Sequence, residues 1–326
     1  MMLASCAPVI HIGLPKTGTT TLQRYLFGTV PSHLNISRYP LGRGDSGYSM
    51  SLAQISTLIW GQEREAETVI QCLAEKYELA KSTSRLLVWS DEKLTYVNAP
   101  LAVQQQLAAR LRRAVPDARI LLTIRSQFSM LVSTYRQSAQ MMYAALGWPR
   151  DVPHRLWRRR LHFSDWLDAL IANPDQTYLS LLDYSALHDT YADQFGASNV
   201  LVLPMERFAQ SAPYLSGLLD ISESAVTTAL QNRSNESRRK LSSYWGGWAL
   251  EGLRVDDGWP AGGLVPQWRI RQLIGGLAPF VRRMPQVRTD MSTEQRNWLR
   301  EHFAASNKSL AARKDLDLES LGYPWQ

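Results

Sequence analysis

The sequence predicts an α/β fold in three layers, a central and mostly parallel sheet flanked by helices. Four short apolar runs, Val9–Gly13, Arg85–Ser90, Arg119–Ile124 and Asn199–Leu203, are rich in branched residues and lack polar alternation, as strands buried on both faces do. Helix-favouring stretches at 51–81, 102–115 and 126–146 alternate with them, and parallel strands need such crossovers. The composition of the 326 residues, 45% hydrophobic and 20% charged, excludes a disordered or collagenous chain.

Taken in order, Val9–Gly13 opens the sheet and runs into Leu-Pro-Lys-Thr-Gly; Leu22, Tyr25 and Leu26 then fall at helical spacing between Thr19 and Phe27. Strand, glycine turn and helix therefore follow one another. His11 lies inside that strand, where a core imidazole with satisfied hydrogen bonds is expected. The next strand ends in Ser90-Asp91-Glu92-Lys93-Leu94, and the third runs straight into Arg125. Ligands of such sheets gather at the carboxyl ends of the strands. A single domain over 1–326 is expected, with a loop-rich acceptor or lid region at 235–290, where Tyr244–Pro266 is dense in Trp, Gly and Pro. Ser292-Thr-Glu-Gln295 forms a capping box that opens a last helix, whose Trp298, Leu299 and Phe303 dock on the body.

The formal charge of +7 biases the chain toward anionic partners. Its two cysteines, Cys6 and Cys72, have no zinc-holding spacing, so no metal is expected and a reducing compartment suffices. Leu3-Ala-Ser-Cys6 imitates a lipoprotein signature, but only two residues precede Leu3, too few for a signal peptide. No window reaches the about 18 apolar residues of a membrane span. The expected location is cytoplasmic, at most peripheral to a membrane, with no transmembrane anchor. Nothing in the sequence indicates an oligomeric state.

Gly13-Leu-Pro-Lys-Thr-Gly18-Thr-Thr20 spaces its glycines as a Walker A loop does, and Thr20 stands at that motif's Ser or Thr. The lysine does not. A Walker A lysine follows the second glycine, where Thr19 lies here, while Lys16 sits inside the loop. Backbone amides of residues 16–20 can still cradle a phosphate, with the cation approaching from another side.

This permutation, PKTGTTTLQ after an apolar strand, resembles the loop of sulfotransferases that binds the 5′-phosphosulfate of 3′-phosphoadenosine 5′-phosphosulfate (PAPS). The resemblance implies a P-loop-like three-layer domain and PAPS as sulfonate donor. It assigns Lys16 to the oxygen bridging phosphate and sulfonate, and Thr17, Gly18, Thr19 and Thr20 to the 5′-phosphate. Arg125, with Ser133 eight positions on in Ser133-Thr-Tyr-Arg-Gln137, is similar to the family's 3′-phosphate site, and a late basic segment adds Arg238, Arg239 and Lys240. The family's Arg-Lys-Gly triplet is absent from that segment. SDEKL resembles the bacterial branch, and so does the terminal Leu318–Trp325 (LESLGYPW). A Glu serves as base in several relatives, which favours Glu92, with Asp91 second and His11, His154 and His162 below them.

For the acceptor, Arg155, Trp157, Arg158 and His162 are candidates, since guanidinium groups beside aromatic faces suit an anionic sugar. Neighbouring Arg159, Arg160 and Trp166 belong to the same stretch. Where the phenol- and steroid-specific branch has Trp after its threonines, Thr21-Leu22-Gln23 stands here, which points to a hydroxyl-bearing carbohydrate or other polar metabolite, including an anionic glycan or glycolipid. Two rivals remain open. One is a P-loop kinase or phosphotransferase using Leu86–Asp91 as a magnesium-holding strand; the other is a non-catalytic polyanion binder. Nucleic acid is the weaker partner, because the basic excess around 150–160 and 233–240 points first to an anionic acceptor and to closure over the nucleotide.

Overall fold

A computed structural model describes residues 7–28, 30–37, 48–95, 100–137, 161–231, 276–277, 279–281, 283–284 and 286–326. Five parallel strands form one sheet: β1 (Val9–Gly13), β2 (His33–Asn35), β3 (Leu86–Ser90), β4 (Arg119–Ile124) and β5 (Val200–Pro204), in the order β2-β3-β1-β4-β5. The α/β class and the parallel sheet are as expected. Alternation divides the strands between two cores. Ile10, Ile12, Leu87, Trp89, Ile120 and Leu122 face one helical layer, while Val9, Val88, Leu121 and Leu203 face the other. With both faces covered, the longer strands β1, β3, β4 and β5 have no polar side to reveal their period.

On the larger face pack α2 (Leu52–Trp60), α3 (Glu63–Ser82), α4 (Leu101–Ala114), α5 (Gln127–Gln137), α6 (Phe163–Ile171), α7 (Tyr184–Phe195) and α10 (Thr293–Lys314). The opposite face carries α1 (Thr19–Leu22), α8 (Ala212–Leu219) and α9 (Glu223–Gln231). After α1 the helix widens into a π-helical turn, Gln23–Phe27.

Three differences from the sequence expectation have physical causes. Strand β2 went unforeseen because His33-Leu-Asn35 is a three-residue edge strand with polar ends. The stretch 51–81 is two helices rather than one, since Arg110, buried in α4, donates to Leu58 O (2.7 Å) and Gly61 O (2.8 Å) and so takes the carboxyl-end carbonyls of α2. Gln62 then restarts the chain, its N–H bonded to the Glu65 carboxylate at 3.2 Å. Helix α5 is described as far as Gln137, and the rest of 126–146, with most of 235–290, lies outside the described residues. Helix α10 starts at the expected capping box, and Leu299 and Phe303 are fully buried.

The strand order places the site. From β1 the chain goes to β3 and β2 on one side and to β4 and β5 on the other, so the carboxyl ends of β1 and β4 flank a topological switch point. Among the described residues no helix is long and apolar enough to cross a membrane.

Candidate active site

Gly13, the last residue of β1, pairs with Thr123 of β4. The chain then turns sharply: Thr17 donates to Leu14 O through both its N–H (3.2 Å) and its hydroxyl (2.6 Å). The turn puts Lys16 at φ 73° and Gly18 at φ 82°. For glycine this is free, but for lysine it is a left-handed conformation costing about 1–2 kcal/mol. Gly18 has a second constraint, because a Cβ there would lie 2.5 Å from the Phe208 ring. The N–H groups of Gly18, Thr19 and Thr20 donate to no backbone carbonyl among the described residues, as befits the open amino end of a helix. Thr17 and Thr19 are buried and Thr20 is exposed.

Arg125 leaves the end of β4 and reaches this loop. Its Nη1 donates to Lys16 O at 3.3 Å, and its Nε to Ser129 Oγ at 2.8 Å. The partner hydroxyl in the structure is thus Ser129, one turn nearer than Ser133, which lies half-buried further along α5. The i, i+4 spacing from Arg125 was the available signal for Ser129. Further groups lock the backbone here. Tyr184 Oη donates to Arg125 O (2.6 Å), Ser126 N–H to Glu206 Oε1 (3.1 Å), and Ser126 Oγ to Gly322 O (2.6 Å). Tyr323 Oη, from the segment after α10, donates to the other Glu206 oxygen at 3.1 Å. Sequence reasoning missed this clamp. Between its parts opens a cavity of about 440 Å³ lined by Arg125, Ser126, Phe128, Ser129, Met205, Glu206, Leu321 and Gly322.

On the other side of β1, the Asp91-Glu92 turn approaches the same rim. Thr95 Oγ1 donates to Gly13 O at 2.8 Å, tying the 3-10 turn Glu92–Thr95 to the start of the glycine loop. The two acids differ. Asp91 is buried, and its Oδ1 accepts the Lys93 N–H at 2.9 Å, a local cap. Glu92 is half-buried. Of the acceptor candidates, His162 is exposed at the start of α6, whereas Arg155, Trp157 and Arg158 lie outside the described residues, as do Arg238, Arg239 and Lys240. Trp166 is a core residue, fully buried against Tyr135 with ring centroids 5.5 Å apart.

Beneath the loop, His11 is fully buried and bonded at both ring nitrogens, to Ser90 Oγ (2.7 Å) and Thr123 Oγ1 (3.0 Å). Burial pushes its pKa down from 6.5 to about 3. The unfolded chain therefore binds a proton below pH 6.5 that the folded chain refuses until about pH 3. Stability from this residue is complete above pH 6.5 and falls on acidification through that window, by about 1.4 kcal/mol per pH unit. Urea midpoints at pH 7 and pH 5 are expected to differ more for the native chain than for His11→Phe. Equal differences would show that His11 contributes nothing to the acid limb.

No family model matches the chain, and no curated protein does. Among solved structures, a sulfotransferase from Alicyclobacillus acidocaldarius is 16% identical, with 97% of this chain and 98% of that one covered and a TM-score of 0.45.

Proposed function

We propose that the chain is a sulfotransferase, moving the sulfonate of PAPS to a hydroxyl of a carbohydrate or other polar metabolite by in-line displacement. One observation carries this above all: Lys16 sits inside the glycine loop, and its own carbonyl is bonded to the guanidinium of Arg125, so two cationic residues meet where the carboxyl ends of β1 and β4 adjoin. The donor set fits a doubly phosphorylated nucleotide. The amides of Gly18, Thr19 and Thr20 suit one phosphate, the fork of Arg125, oriented by Ser129, with the hydroxyl of Ser133 suits a second, and a cavity of about 440 Å³ adjoins Arg125.

PAPS, when bound, supplies a sulfonate on a phosphate leaving group. Lys16 then stabilises the negative charge growing on the bridging oxygen, an interaction stronger in the transition state than before it. Glu92, half-buried on the turn tied to Gly13, takes the proton of the attacking hydroxyl. The family resemblance assigns Arg238, Arg239 and Lys240 to the nucleotide, and Arg155, Trp157, Arg158 and His162 remain the candidates for the acceptor.

The test is transfer from labelled PAPS to a panel of glycan, lipid-linked and small-molecule acceptors, with Lys16→Ala as the blank and EDTA in a parallel series. Transfer that persists in EDTA and disappears in the blank is expected. Strict magnesium dependence with ATP as donor would overturn the proposal in favour of a phosphotransferase. Glu92→Gln is expected to lower kcat ~10²–10⁴-fold with nucleotide affinity retained. A smaller loss would move the base elsewhere.

A further inference from the structure

The contacts of His11 belong to a longer series. Gln23 Nε2 lies 3.0 Å from Ser90 O and 3.1 Å from Ser90 Oγ; Ser90 Oγ lies 2.7 Å from His11 Nδ1; His11 Nε2 lies 3.0 Å from Thr123 Oγ1. Thr123 Oγ1 lies 2.7 Å from Thr17 Oγ1, which lies 2.6 Å from Leu14 O. The side chains come from the π-helical turn, β3, β1, β4 and the glycine loop, and all are buried.

Proton counting fixes the direction of every bond. Leu14 O only accepts, so the single Thr17 hydroxyl proton goes to it. Thr17 Oγ1 must then accept from Thr123, which leaves Thr123 no proton for the imidazole. His11 Nε2 therefore donates, and Nδ1 accepts from Ser90. The other end agrees independently. Ser90 O also only accepts, so the Gln23 group facing it is the NH₂, and this NH₂ also donates to Ser90 Oγ, leaving the Ser90 proton for His11. All the bonds thus point one way, from Gln23 to the carbonyl of the turn that carries Lys16.

We infer that His11, as the Nε2–H tautomer, is a positioning residue that holds the glycine loop in its active shape through Thr123 and Thr17. Lys16 stands in a left-handed conformation, which persists only where the surroundings over-determine it. Thr17 anchors the loop on one side of Lys16, and Arg125 holds the Lys16 carbonyl on the other. Break the series at His11 and Thr123 loses its buried donor, its hold on Thr17 weakens, the loop relaxes and the Lys16 amine shifts from its target. Side-chain misplacement of about 1 Å can cost 10²-fold in rate.

The activity readout rests on the sulfonate-transfer proposal, and two others do not. In the full chain labelled with ¹⁵N-histidine, long-range nitrogen–proton correlation at pH 7 is expected to show His11 neutral with its proton on Nε2. A proton on Nδ1, or a charged ring, overturns the inference. Among variants, His11→Gln keeps a donor toward Thr123, His11→Asn keeps only an acceptor toward Ser90, and His11→Phe keeps neither. With PAPS and an accepted hydroxyl, kcat is expected to fall ~10-fold or more in the Asn and Phe variants and within ~3-fold in Gln. Hydrogen exchange at residues 14–18 should quicken in the same order. Variants that follow their melting temperatures alone, with Gln no better than Asn, would reduce His11 to a core residue. If the native chain neither binds nor transfers PAPS, the exchange and tautomer results still decide the matter.

Discussion

Replacing Lys16 with glycine is expected to lower sulfonate turnover ~10²–10³-fold while leaving the fold as stable as the native one, or up to about 1 kcal/mol more stable. The two effects have separate origins. In the proposed reaction the ammonium group is the charge that stabilises the leaving oxygen, and no other residue of the turn carries one. The backbone at this position has φ 73°, a conformation that lysine adopts at a cost and glycine adopts freely. Against this relief stands the larger chain entropy that glycine surrenders on folding, about 0.5–1 kcal/mol. Lys16→Ala separates the parts, since it removes the charge and keeps the strain. Turnover with labelled PAPS and urea unfolding of both variants supply the measurements. A glycine variant with native turnover would remove Lys16 from the chemistry, and one markedly less stable would show that the loop is unstrained.

Gly13→Ala is expected to be the most damaging of the small substitutions at the site. A Cβ at Gly13 would stand 2.3 Å from Thr19 Cγ2 and 2.7 Å from His11 Nε2, with His11 Cε1 at 2.8 Å. Neither neighbour can yield cheaply. Thr19 is buried in the first turn of α1, and His11 is held at both nitrogens. Overpacking of this kind costs about 1–3 kcal/mol, and it adds the loss of the His11–Thr123 bond at about 1 kcal/mol. A fall of about 3 kcal/mol in urea-unfolding stability is expected, with nucleotide affinity lost even where the chain still folds. A change below about 0.5 kcal/mol would mean that the loop moves away from β1 without cost.

Much of this architecture was legible because its signals are local. Strands β1, β3, β4 and β5 are continuous apolar runs, and a strand covered on both faces has no other way to look. The glycine loop declares itself through the order of Pro, Lys, Gly and Thr, and Arg125 through its place at the end of a strand. What escaped depends on partners distant in sequence. The break at Gly61 is made by Arg110, 49 residues away, and strand β2 is held as an edge by Leu86–Val88 of β3. Ser129 escaped because the family spacing points to Ser133; its bond to Arg125 adds a residue to that reading and does not displace Ser133. His11 was foreseen as a satisfied core imidazole, and it is satisfied. The direction of its bonds emerges only when Leu14 O and Ser90 O, acceptors at opposite ends, are seen to constrain it together.

The clamp formed by Ser126, Glu206, Gly322 and Tyr323 also sets a timetable during synthesis. Ser126 and Gly322, bonded in the finished protein, are 196 residues apart in the chain. At ribosomal speeds of about 5–20 residues per second, some ten to forty seconds separate the appearance of the two. The strand carrying Arg125 therefore waits for its lock while β5 and α10 are still being made. A nascent chain halted before Leu318 would contain the entire glycine loop and both acids of the turn after β3, yet the backbone beside Arg125 would lack the bond to Gly322 and Glu206 its bond from Tyr323. Under the proposed function, nucleotide capture is in this sense a late event in the life of each molecule, and fragments left by interrupted translation would compete poorly for the donor.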